Sequence, residues 1–206
     1  MDKSYPQGNQ ELLTLIKQGL FDAVVAEKAI SMMESIDQPI LGISGYSTTL
    51  LYEAQDNNNI EAVKYLLEHG ADPNQSNLDL ICDTPLWDLQ YLDSEFHDPN
   101  VRLEIAKLFL EFGGDPNLLS EGETLFDYIV YKVFNEMSEP DWEYIKRFYI
   151  LLLAYGGGKE YLGDKISSKI DKSKLNSYDV SFQLCDDGYH IQGYLVDSGG
   201  VILGEL

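Results

Sequence analysis

Residues Ile60 to Gln75, IEAVKYLLEHGADPNQ, are answered further along by Leu103 to Leu118, LEIAKLFLEFGGDPNL. Aligned at Gly70 and Gly113, the two stretches place Glu61 on Glu104, Leu67 on Leu110, Asp72 on Asp115 and Asn74 on Asn117. A shorter signature precedes each: TLLYEA from Thr49 and TPLWDL from Thr84, with TLFDYI from Thr124 opening a third unit that closes on FYILLLAYGGG at Gly158. Self-similarity of this kind constrains the fold more than any local propensity. One such unit cannot bury its own apolar face and gains stability only by stacking on its neighbours.

Each unit has its own punctuation. Thr49, Thr84 and Thr124 suit helix N-caps, and Pro85 suits a first turn. Ala62, Val63, Leu66 and Leu67, like Ile105, Ala106, Phe109 and Leu110, recur at helical spacing and predict a second, amphipathic helix. Gly70, Gly113 and Gly156 then end it, because glycine tolerates the left-handed geometry of a helix C-terminus. Asp-Pro-Asn after the glycine is turn chemistry. Ahead of the first unit, ELLTLIKQGLFDAVVAEKAISMME reads as two amphipathic helices hinged at Gly19, and ILGISGYS as a hairpin loop.

These residues resemble the ankyrin repeat, whose signature is Thr-Pro-Leu-His-x-Ala followed by a helix ending Leu-Leu-Leu-x-x-Gly-Ala-Asp-x-Asn. Thr84-Pro85-Leu86 and Leu66 to Asn74 carry the likeness most closely. The resemblance covers Gln10 to Gly158 and implies a mainly α fold, an ankyrin-repeat solenoid with an N-terminal helical cap and three repeats. Two departures stand out. The signature His is replaced by Tyr52, Trp87 and Asp127, and Trp87 is expected in the core. Thr49 to Gly70 spans 21 residues, whereas Thr84 to Gly113 spans 29 and Thr124 to Gly156 spans 32, so insertions of 8 and 11 fall between first and second helices.

Beyond Gly158 the text changes. A Lys-rich stretch over 159–177 predicts a helical connector. From Tyr178 the residues alternate in polarity, Asp187-Gly188 signals a hairpin, and two further strand-like runs predict a small antiparallel β meander over 178–206, packed on the last helices. The expected organisation is therefore a repeat array over 1–158, the connector, and the meander.

Composition limits what the chain can bind. At 44% hydrophobic and 12% aromatic it can bury a core. With 35 acidic against 14 basic side chains, its formal charge of -21 repels nucleic acid and anionic membranes and attracts a basic protein surface. The excess is uneven: residues 83–144 hold fifteen acidic and three basic side chains, while residues 145–206 hold eight and seven. Cys82 and Cys185 match no metal or redox spacing, MDKSYPQGNQELL has no apolar signal segment, and FYILLLAY is shorter than the roughly 18 residues a membrane helix needs. These features predict a cytoplasmic protein, monomeric when free.

Chemistry is sparse. His69 fits a helix end, and His190 sits in a predicted strand without a nucleophile at known spacing. His97 lies near Glu95 and Asp98, a weak metal-ligand pattern that reads more simply as a solvated loop. GGGKE at 156–160 follows a helix and lacks the spacing and hydroxyl of a phosphate loop. The pattern predicts no enzyme, no cofactor and no metal.

In ankyrin repeats partners touch the hairpin tips and outward positions of the first helix. Carried onto this chain, the resemblance implies Glu53, Asp56 and Asn57 in unit one, Asp79, Asp83, Asp88 and Tyr91 in unit two, and Glu121, Glu123, Tyr128 and Tyr131 in unit three. Carboxylates with tyrosines suit a Lys- and Arg-rich partner. A small acidic chain of this kind resembles, in style, a bacterial ankyrin-type immunity protein that inhibits a cognate toxin, such as a nuclease with a positive cleft. The alternative is a general ankyrin scaffold or effector whose C-terminal meander carries the working surface.

Overall fold

The structure, a computed structural model, describes residues 9–43, 45–75, 84–91, 97–120, 122–126, 128–129, 139–158, 166–184 and 191–205. The chain divides into two compact units, Met1–Gly114 and Asp115–Leu206.

In the first unit, α1 (Gln10–Lys17) and α2 (Ala23–Ser31) are hinged at Gly19, whose φ of 67° lies in the left-handed region. Asp22 caps α2 through the backbone N–H groups of Val24 and Val25. Next, β1 (Ile40–Leu41) pairs antiparallel with β2 (Ser47–Thr48), making the expected hairpin, with Ile40 opposite Thr48. Two helix pairs follow, α3 (Leu50–Asp56) with α4 (Ile60–Glu68), and α5 (Pro85–Asp88) with α6 (Pro99–Glu111). Thr49 and Thr84 cap α3 and α5 by accepting from the N–H groups of Tyr52 and Trp87, and Pro85 fills the first turn of α5. Gly70 and Gly113 end the second helices at φ 91° and 94°.

Packing follows the helical periodicity. α1 and α5 each lie against α3, while α6 lies against α4, so first and second helices form two rows. Leu50, Ala54, Ala62, Val63, Ile105, Ala106 and Phe109 are fully buried between and within them. Each large aliphatic or aromatic side chain sealed there contributes about 1.5–3 kcal/mol relative to exposure. Trp87 is 6% exposed, the core residue expected at the signature His position.

The turn after each second helix repeats at atomic detail. Asp72 Oδ1 accepts from the N–H of Asn74 at 2.8 Å, and Asp115 Oδ1 accepts from that of Asn117 at 2.9 Å. Both are turns in which an Asp side chain mimics a backbone acceptor.

In the second unit, β3 (Leu119–Ser120) and β4 (Glu123–Thr124) form a tight antiparallel hairpin. Residues 125–126 and 128–129 are helical, and α7 (Glu139–Ala154) follows. Of the expected connector, 166–167 are helical, and Lys172–Ser177 forms a 3-10 turn rather than an α-helix, capped by Asp171 on the N–H of Ser173. Residues 159–165 lie outside the described residues. β5 (Tyr178–Leu184), β6 (Ile191–Asp197) and β7 (Ile202–Glu205) then make the expected three-stranded antiparallel meander in sequential order, with an irregularity between Leu195 and Val196. The Asp187-Gly188 turn lies outside the described residues. β5 packs on α7, where Lys146 Nζ meets Asp179 Oδ1 at 3.2 Å and Glu143 Oε2 at 2.9 Å. Burial lowers the Lys146 pKa, but hydrogen bonds to those two carboxylates outweigh it and leave the value raised. Among the described residues no helix is long and apolar enough to cross a membrane.

Candidate partner-binding surface

Glu53 and Asp88 stand four residues after the capping threonines of α3 and α5, so they are equivalent positions on adjacent first helices. Their surroundings differ sharply. Glu53 is 6% exposed, and its Oε1 accepts from the backbone N–H of Ile43 in the β1–β2 loop at 3.1 Å. This departs from the expectation of an outward residue: the loop folds over the carboxylate and uses it as an internal acceptor. Gly42 makes that possible, since a Cβ there would stand 2.1 Å from Glu53 Oε1. Burial holds the Glu53 carboxyl above its ordinary pKa; the Ile43 hydrogen bond opposes the shift and the charge of Asp56 adds to it.

Asp88 is half-buried and tied down. Its Oδ2 accepts from Gln55 Nε2 at 2.9 Å, linking α5 to α3, and lies 3.5 Å from Arg102 Nη2. The same guanidinium nitrogen donates to the Asp88 carbonyl at 2.9 Å. Arg102, from α6, is 1% exposed, and its Nε and Nη1 have no hydrogen-bond partner among the described residues. Gln55 and Gln90, which are equivalent positions on α3 and just after α5, are both buried. Sequence reasoning missed Arg102. The available signal was that it is the first basic residue after the acidic run containing Asp83, Asp88, Asp93, Glu95 and Asp98.

Asp56 ends α3 with its side chain at the surface. The protein crowded around its carboxyl raises its pKa, as does the charge of Asp88, against the opposing influence of His97 and Arg102. Asn57 caps the helix C-terminus, with Nδ2 donating to the Glu53 carbonyl at 2.8 Å. Tyr91 is 43% exposed. Within the first unit, then, Asp56, Asn57 and Asp88 are neighbours through α3 and α5, and Tyr91 follows α5.

In the second unit Glu123 is exposed on β4 opposite Ser120, and Tyr128 is half-buried in the helical residues that follow. Asp79, Asp83, Glu121 and Tyr131 lie outside the described residues. His69 behaves as a helix-end residue: its Nδ1 lies 2.7 Å from the Tyr65 carbonyl and its ring stacks on Tyr65 at 3.9 Å. Among the described residues no group of three His, Cys, Asp or Glu is arranged to hold a metal.

No curated protein matches the chain. The ankyrin repeat family model matches residues 47–78, the segment that holds β2, α3, α4 and the Asp-Pro-Asn turn, so this part of the chain is an ankyrin repeat, a module that generally mediates protein–protein interaction.

Proposed function

We propose that the protein is a non-enzymatic binding protein that grips a basic protein partner through acidic positions on its first helices and hairpins. The α5–α6 pair and residues 124–158 serve as further repeats of the array. The observation that carries the reading is how the described cations are used. In the acidic stretch 83–144, Arg102 is buried against Asp88, and Lys107 pairs with Glu111 one turn away on α6. Cations already engaged with their own unit leave the remaining carboxylates uncompensated, and such a field accelerates and orients the approach of a positive partner.

The contacting set is Asp56, Asn57, Asp88, Tyr91, Glu123 and Tyr128, with Asp79, Asp83, Glu121 and Tyr131. Glu53 supports the loop from inside and is not part of it. The action that suits a compact acidic repeat protein is inhibition in the manner of a cytoplasmic immunity protein, its carboxylates occupying a toxin's cleft where the phosphates of nucleic acid would bind.

The test starts with capture of the partner from native lysate and titration of the isolated pair. Affinity should fall steeply between low and high salt, and reversal of Asp83, Glu121 and Glu123 to Lys should slow association by at least about tenfold. Nanomolar binding that ignores both salt and charge reversal would sink the reading.

A further inference from the structure

The short turn between α3 and α4 opens onto a cavity of about 430 Å³, lined by Asp56, Asn57 and Asn58 from the turn and by His97 from the segment leading into α6. That volume falls in the range of about 300–1,000 Å³ typical of small-ligand clefts. The described residues that line it are polar, and Asp56 is the carboxylate among them.

Three features define what the cavity can hold. First, Asp56 supplies a carboxylate that no Lys or Arg among the described residues reaches as an ion pair, while the nearby Asp88 is matched by Arg102 at 3.5 Å. His97 and Arg102 favour the Asp56 charge from a distance, but no direct ion pair from a described Lys or Arg covers it. Second, the Asn57 amide is oriented by its Nδ2 bond to the Glu53 carbonyl, so its oxygen is the end left to meet a donor. Third, Asn58 takes φ 54°, a left-handed residue that turns the chain sharply and sets three polar side chains on one rim. A single carboxylate with amide oxygens is a poor cage for Ca²⁺ or Mg²⁺, which need six or more oxygens or several carboxylates. It is a good receptor for a charged group that brings several N–H donors.

We infer that the Asp56–Asn57–Asn58–His97 cavity is a binding site for an organic cation, an ammonium or guanidinium group that forms a charge-assisted hydrogen bond with Asp56 and donates to the Asn57 amide oxygen beside it. The group is carried either by a Lys or Arg side chain of a partner or by a free aliphatic amine. Its part in partner capture rests on the function proposed above, but occupancy of the cavity does not.

The experiment follows the amide resonances of the full chain during titration with Nα-acetyl-lysine N-methylamide, its arginine analogue, its norleucine analogue and putrescine. The charged probes should give saturable shifts confined to residues 56–58 and 97, with dissociation constants on the order of millimolar, and the norleucine probe none. Asp56→Asn should weaken binding by at least about tenfold with the rest of the spectrum unchanged. Tighter binding of the lysine or arginine probe assigns the site to a partner side chain; tighter binding of putrescine assigns it to a free amine. Absence of saturation up to roughly 100 mM, equal shifts with norleucine, or indifference to Asp56→Asn would overturn the site. Should charge reversal leave partner binding intact while the probes still bind, the cavity stands and the basic-partner reading falls.

Discussion

Asn74 Nδ2 donates to the carbonyl of Gly113, 39 residues along the chain, at 3.0 Å. The same bond recurs in the second unit between Asn117 Nδ2 and the carbonyl of Gly156, again 39 residues on and at 3.0 Å. The final asparagine of each Asp-Pro-Asn turn thus satisfies a carbonyl exposed by the glycine that ends the following second helix. Helix C-termini leave such carbonyls without intrahelical partners, so these asparagines hold consecutive turns at a fixed spacing.

Asn74→Ala should destabilise its unit by about 0.5–1.5 kcal/mol, the usual net value of one hydrogen bond, and Asn117→Ala should cost more, because Asn117 Oδ1 also accepts from the N–H of Gly158 at 2.9 Å. Asn74→Asp should cost more than Asn74→Ala, because it aims a carboxylate at a carbonyl oxygen. Urea unfolding of the single variants measures both effects, and a neutral Asn74→Asp would show that the bond carries no weight.

Gly42→Ala should be destabilising by about 1–3 kcal/mol, as overpacking a filled site is. The added methyl lands on Glu53 Oε1 and within 2.5 Å of Thr48 Cγ2. Combining it with Glu53→Ala should cost less than the sum of the two single changes, since the shorter side chain makes room. A double-mutant cycle by thermal melting reads the coupling directly.

Arg102→Ala removes a buried cation and its packing together, and should cost about 2–5 kcal/mol, as truncating a fully buried long side chain does. Arg102→Met should lose much less. It keeps the stem volume, Nε and Nη1 have no partner among the described residues to forfeit, and the partly exposed Asp88 keeps its bond from Gln55. Chemical denaturation of the two variants side by side decides whether Arg102 acts through volume or through charge.

Mild acid should stabilise the first unit. Asp37, Glu53 and Asp56 all have raised pKa values, burial being the main cause in each. A folded pKa above the unfolded one means that the folded state binds more protons in the interval between them. Stability therefore falls as pH rises through that interval, and the gain is complete below the unfolded values of 4.5 for Glu53 and 3.8 for the two aspartates. Glu53→Gln, which keeps an acceptor for Ile43, should raise the melting temperature at neutral pH and flatten its rise on acidification. An unchanged slope would show that Glu53 does not contribute.

Phe109→Ala should cost about 3–5 kcal/mol, because Phe109 is fully buried in α6 and the neighbouring helices would relax only partly into the cavity left behind. Near-neutral unfolding data for this variant would contradict the two-row packing of α3 to α6.

What was legible in the sequence is local. The capping threonines, the apolar stripe from Ala62 to Leu67, the left-handed glycines and the Asp-Pro-Asn turns each follow from a residue's own conformational or hydrogen-bonding preferences, and their repetition fixed the order of helices. Alternating polarity did the same for the meander. What the sequence could not decide was which acidic side chains face solvent. Glu53 and Asp88 hold equivalent places in their helices, yet one lies beneath a loop that closes over it through Gly42 and the other is met by Arg102 from α6. Both outcomes depend on residues ten or more positions away, brought close only by packing. A carboxylate is cheap to bury when distant groups supply its hydrogen bonds, and only the tertiary structure shows where those groups arrive.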